Sequence, residues 1–164
     1  MEYQNSSIDL EYCRASSGKR LANYLIDLVA FYCVLFFVGM VVEIIFPGSV
    51  SQLENIDPIL DRLVTLVVYG FVMFLIEAAF QGKSLGKLIT GTKAVSSNGA
   101  TLTFGQFILR NFIRAVPFNA LSALGSPSKP WHDSWSHSIV IDEKVLALQE
   151  QRADFFDELK SQTQ

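Results

Sequence analysis

The run from Arg20 to Phe46, RLANYLIDLVAFYCVLFFVGMVVEIIF, constrains this chain most, because it is longer than a membrane helix requires and still contains a carboxylate. A hydrocarbon core about 30 Å thick takes roughly 20 apolar residues of helix, so the run predicts a membrane span with room for tilt. Asp27 lies two turns beyond Arg20, about 10 Å below the headgroups at 1.5 Å rise per residue. A charge there costs roughly 2.5–3.5 kcal/mol on insertion scales, which makes Asp27 a candidate functional residue in need of partners. Helical spacing puts Arg20, Asn23 and Tyr24 on its face, a polar stripe confined to one leaflet. Beyond Phe31 and Val34 that face is apolar until Glu43.

A second span is predicted over Arg62 to Phe80, RLVTLVVYGFVMFLIEAAF, with Glu77 as its strong acid. The intervening PGSVSQLENIDPILD reads as a loop, with Pro47 and Gly48 ending the first helix and Pro58 as a second breaker. Basic residues flank the outer ends of both spans (Arg14, Lys19 and Arg20; Lys83, Lys87 and Lys93), while the loop is acidic. The positive-inside rule therefore predicts a multi-pass protein of the inner or plasma membrane with both termini cytoplasmic. Asp27 and Glu77 then share a leaflet. If adjacent, they favour protonation of one another unless basic groups stand between them. Asp27 is expected to pair with Arg20 or with an arginine of the third helix.

That third helix is Phe104 to Leu124, with Arg110 and Arg114 one turn apart and Pro117 at its centre. It is expected to lie at the cytoplasmic interface as an amphipathic helix, bent or broken into a pair at Pro117, with both cations snorkelling; a third crossing is the alternative. Before it, Thr92 to Val95 alternates like a strand and Asn98-Gly99 is a hairpin-type turn, predicting a small cytoplasmic β-hairpin. Ser138 to Ile141 could add a third strand. Residues 1–18 form an N-terminal arm, with an Ile8, Leu10, Tyr12 alternation. Residues 19–142 form the membrane domain, and 143–164 a C-terminal amphipathic, acidic helix, strongest over Glu143 to Lys160.

Composition narrows the class. Half of the 164 residues are hydrophobic and mean hydropathy is positive, as in a small α-helical integral membrane protein whose first partner is the lipid bilayer. A net charge of −3, with no basic and aromatic interleaving, argues against nucleic acid. Cys13 and Cys33 match neither a disulfide framework nor a metal site. The polar start, with Glu2, Asp9 and Glu11, is unlike a cleavable secretion signal. GKSLGK lacks the spacing of a phosphate loop. His132, Asp133 and His137 lack zinc-ligand spacing, and Ser134, Ser136 and Ser138 belong to no nucleophile elbow. No enzyme activity, metal or cofactor is expected.

The pieces resemble the RDD family of membrane proteins, named for an Arg at the start of the first membrane helix, an Asp within it and a second Asp near the domain's end. Arg20, Asp27 and Asp133 occupy those places, and GKSLGKLITGTKAV, LRNFIRAVPF and WHDSWSHSIVI also resemble the family, over about residues 14 to 142. Ser134 stands where many members have a basic residue, and Asn119 where related sequences tend to carry an acid. The resemblance implies transport of cations, protons or a small solute. Two spans enclose no pathway alone, so a transporter would be a homo-oligomer. The other reading is a non-enzymatic accessory or assembly subunit in a hetero-complex of membrane proteins. Either way the candidate site is the polar cluster Arg20, Asn23, Asp27, Glu77, Arg110, Arg114 and Asp133.

Overall fold

The computed structural model describes residues 8–53, 56–116 and 130–162. Two long helices carry the fold, α1 (Ser17–Ile45) and α3 (Pro58–Ala79). Both are long and apolar enough to cross a membrane, and only 6% and 22% of their most apolar windows are buried inside the protein. The Ser16 side chain caps α1 by accepting from Lys19 N, so the helix begins within the expected N-terminal arm.

Pro58 is not the breaker its residue type suggested. It opens α3 at a position whose N–H no helical carbonyl would accept, and the Asp57 carboxylate caps the helix by accepting from Ile59 N and Leu60 N at 2.9 and 3.1 Å. Nor is the connection wholly a loop, since it contains a short helix, α2 (Ser49–Leu53). Glu43 ties α2 to α1 by accepting from Gly48 N and Val50 N at 2.7 and 2.9 Å.

A cap of short elements follows: α4 (Leu85–Thr90), β1 (Thr92–Ser96), α5 (Phe104–Ala115), α6 (Trp131–Trp135), β2 (Ser138–Asp142) and α7 (Glu143–Gln162). The expected hairpin does not form. Asn98-Gly99 does make a turn, with Gly99 at φ 84° and its N–H on Ser96 O at 2.9 Å. Thr103 and Gln106 then close a capping box that starts α5 before a strand can return. The partner of β1 is β2, antiparallel, with Thr92 opposite Asp142 and Ser96 opposite Ser138. Among the described residues the sheet has two strands rather than three, and the arm adds an isolated bridge from Arg14 to Ile141.

Strand alternation sorts the core into two faces. Ala94 and Val140 pack with Phe74, Leu102 and Phe107, while Val95, Ile139 and Ile141 pack with Cys13 and with Leu146 of α7. A third cluster, Phe31, Tyr69 and Met73, joins α1 to α3.

Helix α5 is amphipathic but inverted. Arg110, Asn111 and Arg114 are buried, whereas Phe104, Leu109 and Phe112 are exposed. The arginines therefore do not snorkel, because buried carboxylates inside the protein offer them partners. Val116 ends α5 in an extended conformation, as suits a residue before proline. Pro117, Asn119 and the remainder of the expected third helix lie outside the described residues.

Candidate functional site

The long helices and the cap meet at a buried cluster of charge. Arg20, Asn23 and Asp27 come from one face of α1, Glu77 from the last turn of α3, Arg110 and Arg114 from α5, and Asp133 from α6, all of them buried. The structure thus brings together every residue of the predicted polar cluster. It adds Ser84 and Lys87, at the start of and within α4, and Asn111 of α5, also buried.

Among the described residues, Asp27 has three partners. Arg114 Nη2 lies 2.6 Å from Oδ2, Ser84 Oγ donates to the same oxygen at 2.7 Å, and Gly86 N donates to Oδ1 at 2.8 Å. The last bond requires α4 to lie directly on α1, which only glycine permits: a Cβ on Gly86 would stand 2.5 Å from Asn23 O. Oriented to satisfy its neighbours, the Asn23 amide donates to Gly86 O at 3.0 Å and accepts from Thr92 Oγ1 at 2.9 Å. GKSLGK is thus a cradle for the protein's own carboxylate.

Glu77 forms an ion pair with Lys87 and lies 3.3 Å from both Arg114 Nη1 and Arg110 Nε. Asn111 Nδ2 donates to it at 3.2 Å. Asp133 is paired with both Arg20 and Arg110. Arg114 therefore links Asp27 to Glu77, and Arg110 links Glu77 to Asp133. Basic groups stand between the acids of the two long helices, so the condition for a shared proton is not met.

The expected pairing of Asp27 with Arg20 is not formed; of the two alternatives, the arginine of the third helix is the partner. Arg20 instead donates to Ala15 O at 3.2 Å and Val140 O at 3.3 Å besides pairing with Asp133, which directs its guanidinium towards the sheet. With two arginines on Asp133, a basic residue at Ser134 is not needed to neutralise it. Burial alone would raise the Asp133 carboxyl, but Arg110, His132 and Arg20 hold it well below the usual carboxylate range. Burial pushes His132 well below its ordinary value, against the pull of Asp133. Burial also lowers the Lys87 ammonium to about 8, against the pull of Glu77.

Sequence signals existed for the added residues. Asn111 is three residues before Arg114 and so shares its helical face, and Ser84 precedes α4 as its N-cap, accepting from Lys87 N. The partner of Lys87 is set by tertiary contact and left no such mark. No curated protein and no solved structure matches this chain. The RDD family model matches residues 14–159, a stretch that contains Arg20, Asp27, Asp133 and the elements that bring them together, and the chain belongs to the RDD family.

Proposed function

We propose that this is a non-enzymatic integral membrane protein in which the charged cluster fastens the cap to two membrane helices, and that it serves as an accessory or assembly subunit of a larger membrane complex. The observation that carries this reading is that each buried carboxylate, Asp27, Glu77 and Asp133, has at least one buried cation as partner. A carrier must let a charge change state during its cycle, whereas a clamp must hold its charges fixed. The inverted α5 supports membrane placement, because Phe104, Leu109 and Phe112 face outward together with Val29 and Phe36 of α1 and Phe71 of α3. The basic flanks favour cytoplasmic termini.

A second reading, cation or proton transport by an oligomer, is favoured by one feature: a cavity of about 50 Å³ beside Asp27, walled by apolar residues of α1 and α3 such as Phe31, Val34 and Ile76. Reconstitution separates the two. The subunit reading expects vesicles of the purified chain to show no cation or proton flux above empty vesicles, and a complex in native membranes of mass well above that of the chain. Flux abolished by Glu77→Gln, in a variant that still folds, would establish transport instead.

A further inference from the structure

A second cavity, of about 40 Å³, is lined by Arg20, Lys87, Arg110, Arg114 and His132, with Leu21 and Tyr24 also in its wall. A water needs roughly 10–15 Å³ of such space, so a group of several heavy atoms fits. The charges around it do not balance. Among the described residues, four buried cations, Arg20, Lys87, Arg110 and Arg114, face three buried carboxylates, Asp27, Glu77 and Asp133. The 117–129 segment preceding the lining residue Pro130 has no Asp or Glu in its sequence to supply the missing negative charge.

Arginine donors of the cluster are also incompletely used among the described residues. Of the five N–H groups of a guanidinium, Arg114 uses one at Nη1 for Glu77 and one at Nη2 for Asp27 among the described residues. Arg110 Nε is buried and, although 3.3 Å from Glu77 Oε2, is not aligned for a hydrogen bond. An uncompensated buried positive charge is costly, and an oxyanion in the cavity would remove that cost.

The position of the cavity indicates where the oxyanion comes from. Arg20 is in the first turn of α1, and Leu21 in the cavity wall is 40% exposed. Next to Pro130 and His132, Trp131 and Trp135 stack with ring centroids 6.4 Å apart and both are exposed. Exposed tryptophans are enriched at headgroup depth, and the helix that carries these two is tied to the first turn of α1 by the pair between Arg20 and Asp133. We propose that this cavity binds the phosphate group of an anionic phospholipid from the surrounding leaflet. The same chemistry would accept free inorganic phosphate, so the test separates the two sources. The inference rests on the membrane placement of the cluster and not on a transport or assembly role.

The test uses the full chain in detergent, with phosphatidylglycerol, phosphatidylcholine and inorganic phosphate as separate additions. Native mass spectrometry should show phosphatidylglycerol retained about tenfold better than phosphatidylcholine, a difference of about 1.4 kcal/mol. Phosphatidylglycerol should raise the melting midpoint and inorganic phosphate should not. Leu21→Trp, which fills the outer wall and leaves every charge in place, should remove the preference. Equal retention of the two lipids would overturn the site, as would a preference unchanged in a folded Leu21→Trp. An equal stabilisation by inorganic phosphate would overturn the lipid assignment. If Leu21→Trp fails to fold, the lipid comparison on the unaltered chain still decides.

Discussion

Asp27 is held by Arg114, Ser84 Oγ and Gly86 N, so its energetics belong to that set rather than to α1. Removing one partner of a buried ion pair typically costs about 3–5 kcal/mol, because it leaves a charge uncompensated, whereas removing both costs less. Asp27→Asn and Arg114→Gln should each lower the yield of monodisperse protein, and the double variant should recover part of the loss. The same coupling is expected between Arg20 and Asp133, and not between Arg20 and Asp27. Strict additivity of Asp27→Asn with Arg114→Gln in thermal melts would refute the pairing. Gly86→Ala leaves all charges intact but brings its Cβ against Asn23 O; it should lose about 1–3 kcal/mol, as overpacking does. An unchanged melting midpoint would mean that α4 moves away freely.

Acid should loosen the same cluster in two stages. His132 titrates in the fold well below its ordinary 6.5, so beneath that pH the unfolded chain takes a proton that the folded one refuses. Asp133 titrates below its ordinary 3.8; its contribution is present above that value and is lost as pH falls below it. Stability should decline from about pH 6.5 downward and more steeply below about pH 4, with no gain from acidification. His132→Gln should flatten the upper stage only. A melting midpoint that rises on acidification through pH 6 would contradict the His132 assignment, and one that stays level below about pH 4 would contradict that of Asp133.

At the scale of elements, the two apolar helices and the inward charges on them were legible because hydropathy and helical spacing are local. Pairings across the chain were not. Arg20 meets Asp133 only once the sheet has brought α6 beneath the start of α1, and β1 reads as half of a hairpin until the Thr103 and Gln106 box takes the chain into a helix. Arg110 and Arg114 read as snorkelling cations because sequence shows that a helix has two faces and not which of them faces inward. The final helix divides in the same way. Leu146 seals the sheet, whereas Leu148, Phe155 and Leu159 are exposed. Removing residues 143–164 should lower the melting midpoint, because it uncovers Val95, Ile139 and Ile141 of the sheet. An unchanged midpoint would show that Leu146 adds nothing to the stability of the cap.

For the molecule as a whole, the proposed function makes the cluster a fixed electrostatic clamp between two long apolar helices and an inverted cap. Infrared spectroscopy of the protein in lipid vesicles tests this directly, because a protonated carboxyl in a dry site has a C=O stretch distinct from the carboxylate bands. The band can be assigned with Asp27→Asn and Glu77→Gln. A fixed clamp predicts that no such band from Glu77 appears or disappears between about pH 5 and pH 9, since a carboxylate held by guanidinium and ammonium groups keeps its charge. A band that titrates in that range and vanishes in Glu77→Gln would contradict the clamp and identify a site that exchanges protons.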